Sequence, residues 1–217
     1  MSYLTINFTD VYGLAPSVRG MRNPKNSWHF SDSNFQPLDE YLTSENNINE
    51  NKERLILGSK DQFLSQSLTK AGGEHCKHLR LVQVWADITA SRYFWTEFDT
   101  YHFKENVSCS TMHKITSREL DYDDFDYIDH IELDRMNTLI REYHICETKE
   151  ERIETFLKIK STLPEGFRIK RTINTNYQTI LNMVKQRKHH RLPHWVEFCS
   201  WALDLPYFLE LTGLKIE

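Results

Sequence analysis

The chain has 217 residues, a formal net charge of −4, a pI near 6.2 and 12% aromatic residues. That length can bury a substantial core without metal or disulfide staples, and one domain spanning residues 1–217 is expected. The acidic balance argues against a general binder of nucleic-acid backbones, and seven glycines and six prolines among so many aromatics argue against a disordered chain.

No run approaches the roughly 18 apolar residues of a membrane span, and no signal peptide is read at the start. Cys76, Cys109, Cys146 and Cys199 show no paired spacing, so reduced thiols in a cytoplasmic protein are the expectation.

In chain order, Leu4, Ile6 and Phe8 alternate with polar residues and predict an edge or half-buried strand. The stretch from Ser17 to Pro24 reads as a basic loop, kept out of regular structure by Gly20 and Pro24. Its Arg19 and Arg22 either clamp a phosphate or simply solvate the loop. Residues 31–51 are polar and asparagine-rich and read as a long connection. From Asp61, the spacing of Phe63, Leu64, Leu68 and Ala71 predicts an amphipathic helix stopped by Gly72-Gly73. His75-Cys76-Lys77-His78 offers metal-ligand types. A structural zinc site needs four ligands, however, and no second pair completes the set, so no metal is expected.

Leu79 to Ile88 predicts a core strand, with Val82, Val84, Ala86 and Ile88 set against Leu81, Gln83 and Trp85. Asp87 or Thr89 then reads as the start of a helix carrying Arg92, Tyr93, Phe94, Trp95, Glu97 and Phe98. Its aromatics either line a ring-binding cleft or pack the core, and core packing is the preferred reading. In the polar turn 108–113, Cys109 has only His113 nearby as a base, which is poor ground for a nucleophile. The run from Glu119 to Asp134 is strongly acidic and lacks the glycine of an ordered calcium loop. It reads as a solvated charge run or a lid. Two amphipathic helices follow, over 135–147 and 150–161.

The stretch from Leu163 to Phe198 is the most structured in pattern. Phe167 and Ile169 alternate as in a strand, and Ile180, Leu181 and Val184 mark the inward face of a helix capped by Asn174 or Thr175. Asn176, Asn182 and Arg187 project from that helix, whose start suits an anion. A capped surface helix is the competing reading. Lys185, Arg187, Lys188, His189, His190 and Arg191 make a local basic patch. Val196, Phe198, Trp201 and Leu203 form a last helix, broken at Leu205-Pro206.

This layout resembles the flavin-dependent thymidylate synthases, the ThyX-type enzymes. The resemblance rests on Leu163-Pro164, then Asn176, Asn182 and Arg187 in order, followed by Trp195 and Glu197. Upstream it takes in Leu68-Thr69-Lys70-Ala71-Gly72, His75, the strand at 79–86 and the Ser108-Cys109-Ser110 turn, covering about residues 61–201. It implies an α+β fold with a central antiparallel or mixed sheet packed with helices. It also implies FAD held by Asn176, Asn182 and His75, and a nucleotide held by Arg187, Ser108, Ser110 and Arg92. No protein nucleophile is needed where the flavin carries the chemistry. A homotetramer is the matching assembly.

The sequence also departs from that family. Where its members carry Arg-His-Arg, this chain reads Thr96-Glu97-Phe98-Asp99-Thr100-Tyr101-His102, and Gln178 stands where they carry an arginine. A carboxylate facing a phosphate costs on the order of 1 kcal/mol or more per pair. The expectation is therefore a divergent relative that binds or sequesters a nucleotide without turnover, and the compact size and look of the sequence point to a phage-encoded one. The alternatives are an active enzyme methylating or hydroxymethylating a deoxyuridine nucleotide, and an interaction domain without a ligand.

Overall fold

In the strand β4 (Gln83–Ser91), Val84, Ala86, Ile88 and Ala90 are all buried, so the period of two runs on to Ala90. That continuation overrides the helix-start signals at Asp87 and Thr89. The next helix, α3 (Arg92–Phe98), begins only after Ser91, correcting the expected start. The computed structural model describes residues 2–35 and 55–215. Most of the expected 31–51 connection lies outside those residues.

The remaining elements, in order, are β1 (Thr5–Tyr12), α1 (Leu14–Gly20), β2 (Asn34–Phe35), β3 (Leu55–Ile56) and α2 (Ser59–Ala71) before β4. After α3 come β5 (Glu105–Ser108), α4 (Thr111–Lys114), α5 (His130–Ile145) and α6 (Lys149–Thr162). The chain continues with β6 (Arg168–Asn176), α7 (Tyr177–Arg187), α8 (Pro193–Leu203) and α9 (Phe208–Thr212). Four strands form an antiparallel sheet in the order β1-β4-β6-β5, and β2 pairs antiparallel with β3. This is the α+β architecture the resemblance implies, with β1 on the edge as expected, although Phe8 of its alternating set is 76% exposed.

The chain groups into two compact units. The first comprises Met1–Ile6, Asp87–Thr100 and Asn106–Thr172. Its core holds Phe94, Trp95 and Phe98 of α3, with Trp95 and Phe98 edge to face at 5.3 Å. The Trp95 indole N–H donates to the Ile169 carbonyl at 2.9 Å, so the α3 aromatics are core rather than cleft. Helix α5 starts at His130, five residues before the expected Arg135, because the Asp129 carboxylate accepts from the amides of Ile131 and Glu132. Thr148 and Glu151 form a capping box at α6. The acidic run does not float free. Leu120, Phe125 and Ile128 are buried, and Asn137 exchanges two hydrogen bonds with the Leu120 backbone.

The second unit comprises Asn7–Ala86, Tyr101–Glu105 and Ile173–Glu217. Its core gathers Leu14, Val18, Leu79, Val84, Tyr177, Ile180, Phe208 and their neighbours. The expected basic loop is in fact α1, followed by a 3-10 turn over Asn23–Lys25. Leu14, Val18 and Met21 recur at helical spacing and sink into the core, which outweighs Gly20 at the helix end. The helix enters through Gly13 at φ 89°, where a Cβ would lie 2.1 Å from the Leu81 carbonyl oxygen. Arg22 neither clamps a phosphate nor solvates a loop; it is buried against Asp61.

Helix α2 stops at Gly72 (φ 70°) and packs Leu64 and Leu68 against the core as expected, but its most buried residues are polar: Asp61, Ser65 and Thr69. Phe63, expected inside, is 73% exposed. Residues His75–Leu81 form a 3-10 helix, so β4 begins at Gln83 rather than Leu79. The cap of α7 is Asn176, not Asn174 or Thr175: its side-chain oxygen accepts from the Thr179 amide at 3.0 Å. Ile180, Leu181 and Val184 face inward as predicted. Cys76, Cys109, Cys146 and Cys199 are free thiols. Among the described residues no helix is long and apolar enough to cross a membrane, and no group of three His, Cys, Asp or Glu side chains is placed to hold a metal.

Candidate functional site

The first unit contains a cavity of about 320 Å³ where β4, β6 and the polar turn before α4 meet. Alternation along β6 supplies one wall. Phe167 and Ile169 turn inward, so Arg168 and Lys170 share the opposite face. The turn supplies Cys109, Ser110 and Thr111, tied to β6 by the Cys109 amide donating to the Lys170 carbonyl at 3.0 Å. Ser110 caps α4 by accepting from the His113 amide at 3.2 Å, and Lys160 donates to the Thr111 hydroxyl at 2.6 Å. The far wall is the start of the acidic run, with Arg118, Asp123 and Asp124.

Four cations and two carboxylates line this cavity. Three of them already face carboxylates. Lys170 lies 2.7 Å from Asp87, Arg118 grips Asp124 through both terminal nitrogens, and Arg168 lies 3.7 Å from Asp126. The Lys170 contact comes first among the bonds holding the Asp87 carboxyl below its usual range, with the Thr172 hydroxyl next. Lys114 has no carboxylate partner among the described residues, and it is the cation left for a ligand.

The other residues expected to touch a nucleotide fall elsewhere. Ser108 ends β5 in an exposed position, and its hydroxyl donates to the Cys109 carbonyl at 3.1 Å. Arg92 donates to the Leu163 carbonyl at 2.8 Å and pairs with Glu165 at 3.0 Å, so it braces the Leu163-Pro164 corner. At the end of α3, Asp99 accepts twice from Arg171, each time at 2.9 Å, and the Arg171 guanidinium lies 4.4 Å from the Trp95 ring centre. The Asp99 carboxylate is thus engaged within the fold.

In the second unit, Asn176 is 7% exposed and spends its amide oxygen on the α7 cap. Asn182 is exposed on that helix, and His75 is exposed at the start of the 3-10 helix His75–Leu81. Arg187 lies at the far end of α7, about 16 Å from its start at 1.5 Å per residue, so it cannot serve an anion at the helix N-terminus. Its Nε donates to the Tyr101 hydroxyl at 2.9 Å, and its guanidinium lies 4.9 Å from the Trp195 ring centre. A terminal nitrogen reaches His190 Nε2 at 2.7 Å. This cage holds the C-terminal turn of α7 against α8.

Among the residues to which the resemblance assigns the flavin, Asn176 gives its amide oxygen to the backbone, while Asn182 and His75 are exposed. Gln178 accepts from Arg80 Nε at 2.5 Å and donates to Cys76 Sγ at 3.2 Å, and its neutral amide brings no charge to a phosphate. Lys114, Arg118, Arg168 and Lys170 were not singled out in the sequence. The i, i+2 pair on β6 was legible from alternation; Lys114 and Arg118 reach the cavity only through tertiary folding.

No protein-family model matches the chain, and no curated protein does. Two solved structures of ThyX from Helicobacter pylori, both with FAD and dUMP, are similar to it. The first has a TM-score of 0.68 at 14% identity, over 97% of each chain. The second has a TM-score of 0.66 at 15% identity, over 95% of this chain and 96% of that one. At such identities the likeness is one of fold: the chain has a ThyX-like fold.

Proposed function

We propose that this protein binds a nucleoside monophosphate of the deoxyuridine class in the cavity beside Lys114 and holds it without turnover. One observation carries the reading: a cavity lined by four cations, one of them, Lys114, without a carboxylate partner among the described residues, next to the hydroxyls of Ser110 and Thr111. An ammonium and hydroxyls at that spacing suit a phosphate, and the volume lies within the range of small-ligand sites. The dUMP bound by the Helicobacter pylori structures supports the choice of nucleotide. Absence of turnover is supported by α3, where Asp99 is spent on Arg171 and Arg92 on Leu163 and Glu165. The fold likeness also supports a homotetramer, and light scattering that returned a clean monomer would count against it.

A second reading, an active flavin-dependent enzyme acting on a deoxyuridine nucleotide, is favoured by the extent of the likeness to FAD-containing structures. Denaturing freshly purified protein and identifying what it releases, by absorbance and mass, separates the two. A nucleotide without flavin is the expected result. Released FAD would support the second reading and overturn the first.

A further inference from the structure

The second unit holds a cavity of about 530 Å³ that the reading above does not use. One wall is a single stripe of α2, with Phe63, Gln66, Ser67 and Lys70 at i, i+3, i+4 and i+7. Lys185 of α7 and Lys215, just beyond α9, bring the lysines lining the cavity to three. No carboxylate lines this cavity, and none of the three lysines has a carboxylate partner among the described residues. Phe63 stands on the same stripe, two helical turns (about 10 Å) from Lys70. Its ring is 73% exposed, although its spacing in the helix would suit the core.

We infer that this cavity is a second ligand site, separate from the one beside Lys114, for an oligophosphate carried on a flat ring: a nucleoside polyphosphate. The three ammonium groups take the phosphates as point charges. Phe63 gives the base a stacking face that tolerates any ring. The Gln66 amide is turned away, donating to the Glu210 carbonyl at 3.0 Å, so the site selects charge and flatness rather than base identity.

The test titrates the full chain calorimetrically with ATP, with dUMP held at saturating concentration, and repeats it with inorganic tripolyphosphate. ATP is expected to bind once per chain. The variant K70Q/K185Q/K215Q should lose at least tenfold in ATP affinity. Phe63→Ala should lose severalfold for ATP and leave tripolyphosphate unchanged. All four side chains are exposed, so the variants keep the fold. Failure of wild type to bind ATP, or an unchanged affinity in the triple lysine variant, would overturn the site. Equal ATP affinity in Phe63→Ala would overturn its ring-binding half. None of these outcomes depends on dUMP binding, which is read separately by titrating the same variants with dUMP alone.

Discussion

Asp61 is wholly buried, with one carboxylate oxygen on Arg22 and the other taking the Ser31 hydroxyl and the Ser33 amide. Burial pushes its carboxyl up, but the bonds from Ser31, Ser33 and Arg22 outweigh it and hold the group below its usual range. Removing one member of such a pair strands the other charge, so Asp61→Asn should cost about 3–5 kcal/mol, read from urea midpoints. Because the folded carboxyl titrates low, its contribution is present above about pH 4 and is lost as pH falls through the folded value. The gap between wild type and Asp61→Asn should therefore close in acid. His78 works at higher pH. Burial pushes its imidazole down to about 4, and Ser65 bonds its Nε2 at 2.8 Å. A histidine held neutral in the fold loses stability as pH drops from about 6.5 towards 4, here on the order of 3 kcal/mol. His78→Gln should flatten that slope; an unchanged slope would assign it to other groups.

Among the elements, α7 shows what a sequence can and cannot reveal. Its inward residues Ile180, Leu181 and Val184 follow from periodicity, and the end of α2 follows from Gly72. The cap is harder to read, because Asn174, Thr175 and Asn176 all suit it. Strand pairing of β6 through Asn176 decides it, and that is a tertiary fact. Asn176→Ala should cost about 1 kcal/mol in thermal or urea unfolding, the usual loss for an N-cap. Helix α1 was hidden by Gly20 and Pro24, local cues overridden by the core packing of Leu14 and Val18. The burial of polar residues on α2 was illegible for a related reason: Arg22, His78 and Leu211, which satisfy Asp61 and Ser65, lie far off in sequence. At the candidate site, Ser110 could be named in advance from its polar turn. Lys114 could not, since its lack of a carboxylate partner appears only once Arg118, Arg168 and Lys170 are seen paired.

For the whole molecule, a ThyX-like fold is shared at 14% identity, with most residues exchanged. A fold can survive such exchange because it rests on buried apolar residues such as Val84, Trp95, Ile180 and Phe198. Function rests on the few charges around a cavity, and these must be tested on their own terms. Calorimetric titration with dUMP, wild type against Lys114→Ala, tests the central claim most directly. Saturable binding by wild type is predicted, with a loss of about 1.5–3 kcal/mol in the variant, the range for a hydrogen bond to a charged group. Equal affinity in the two proteins, or no binding by wild type, would contradict it.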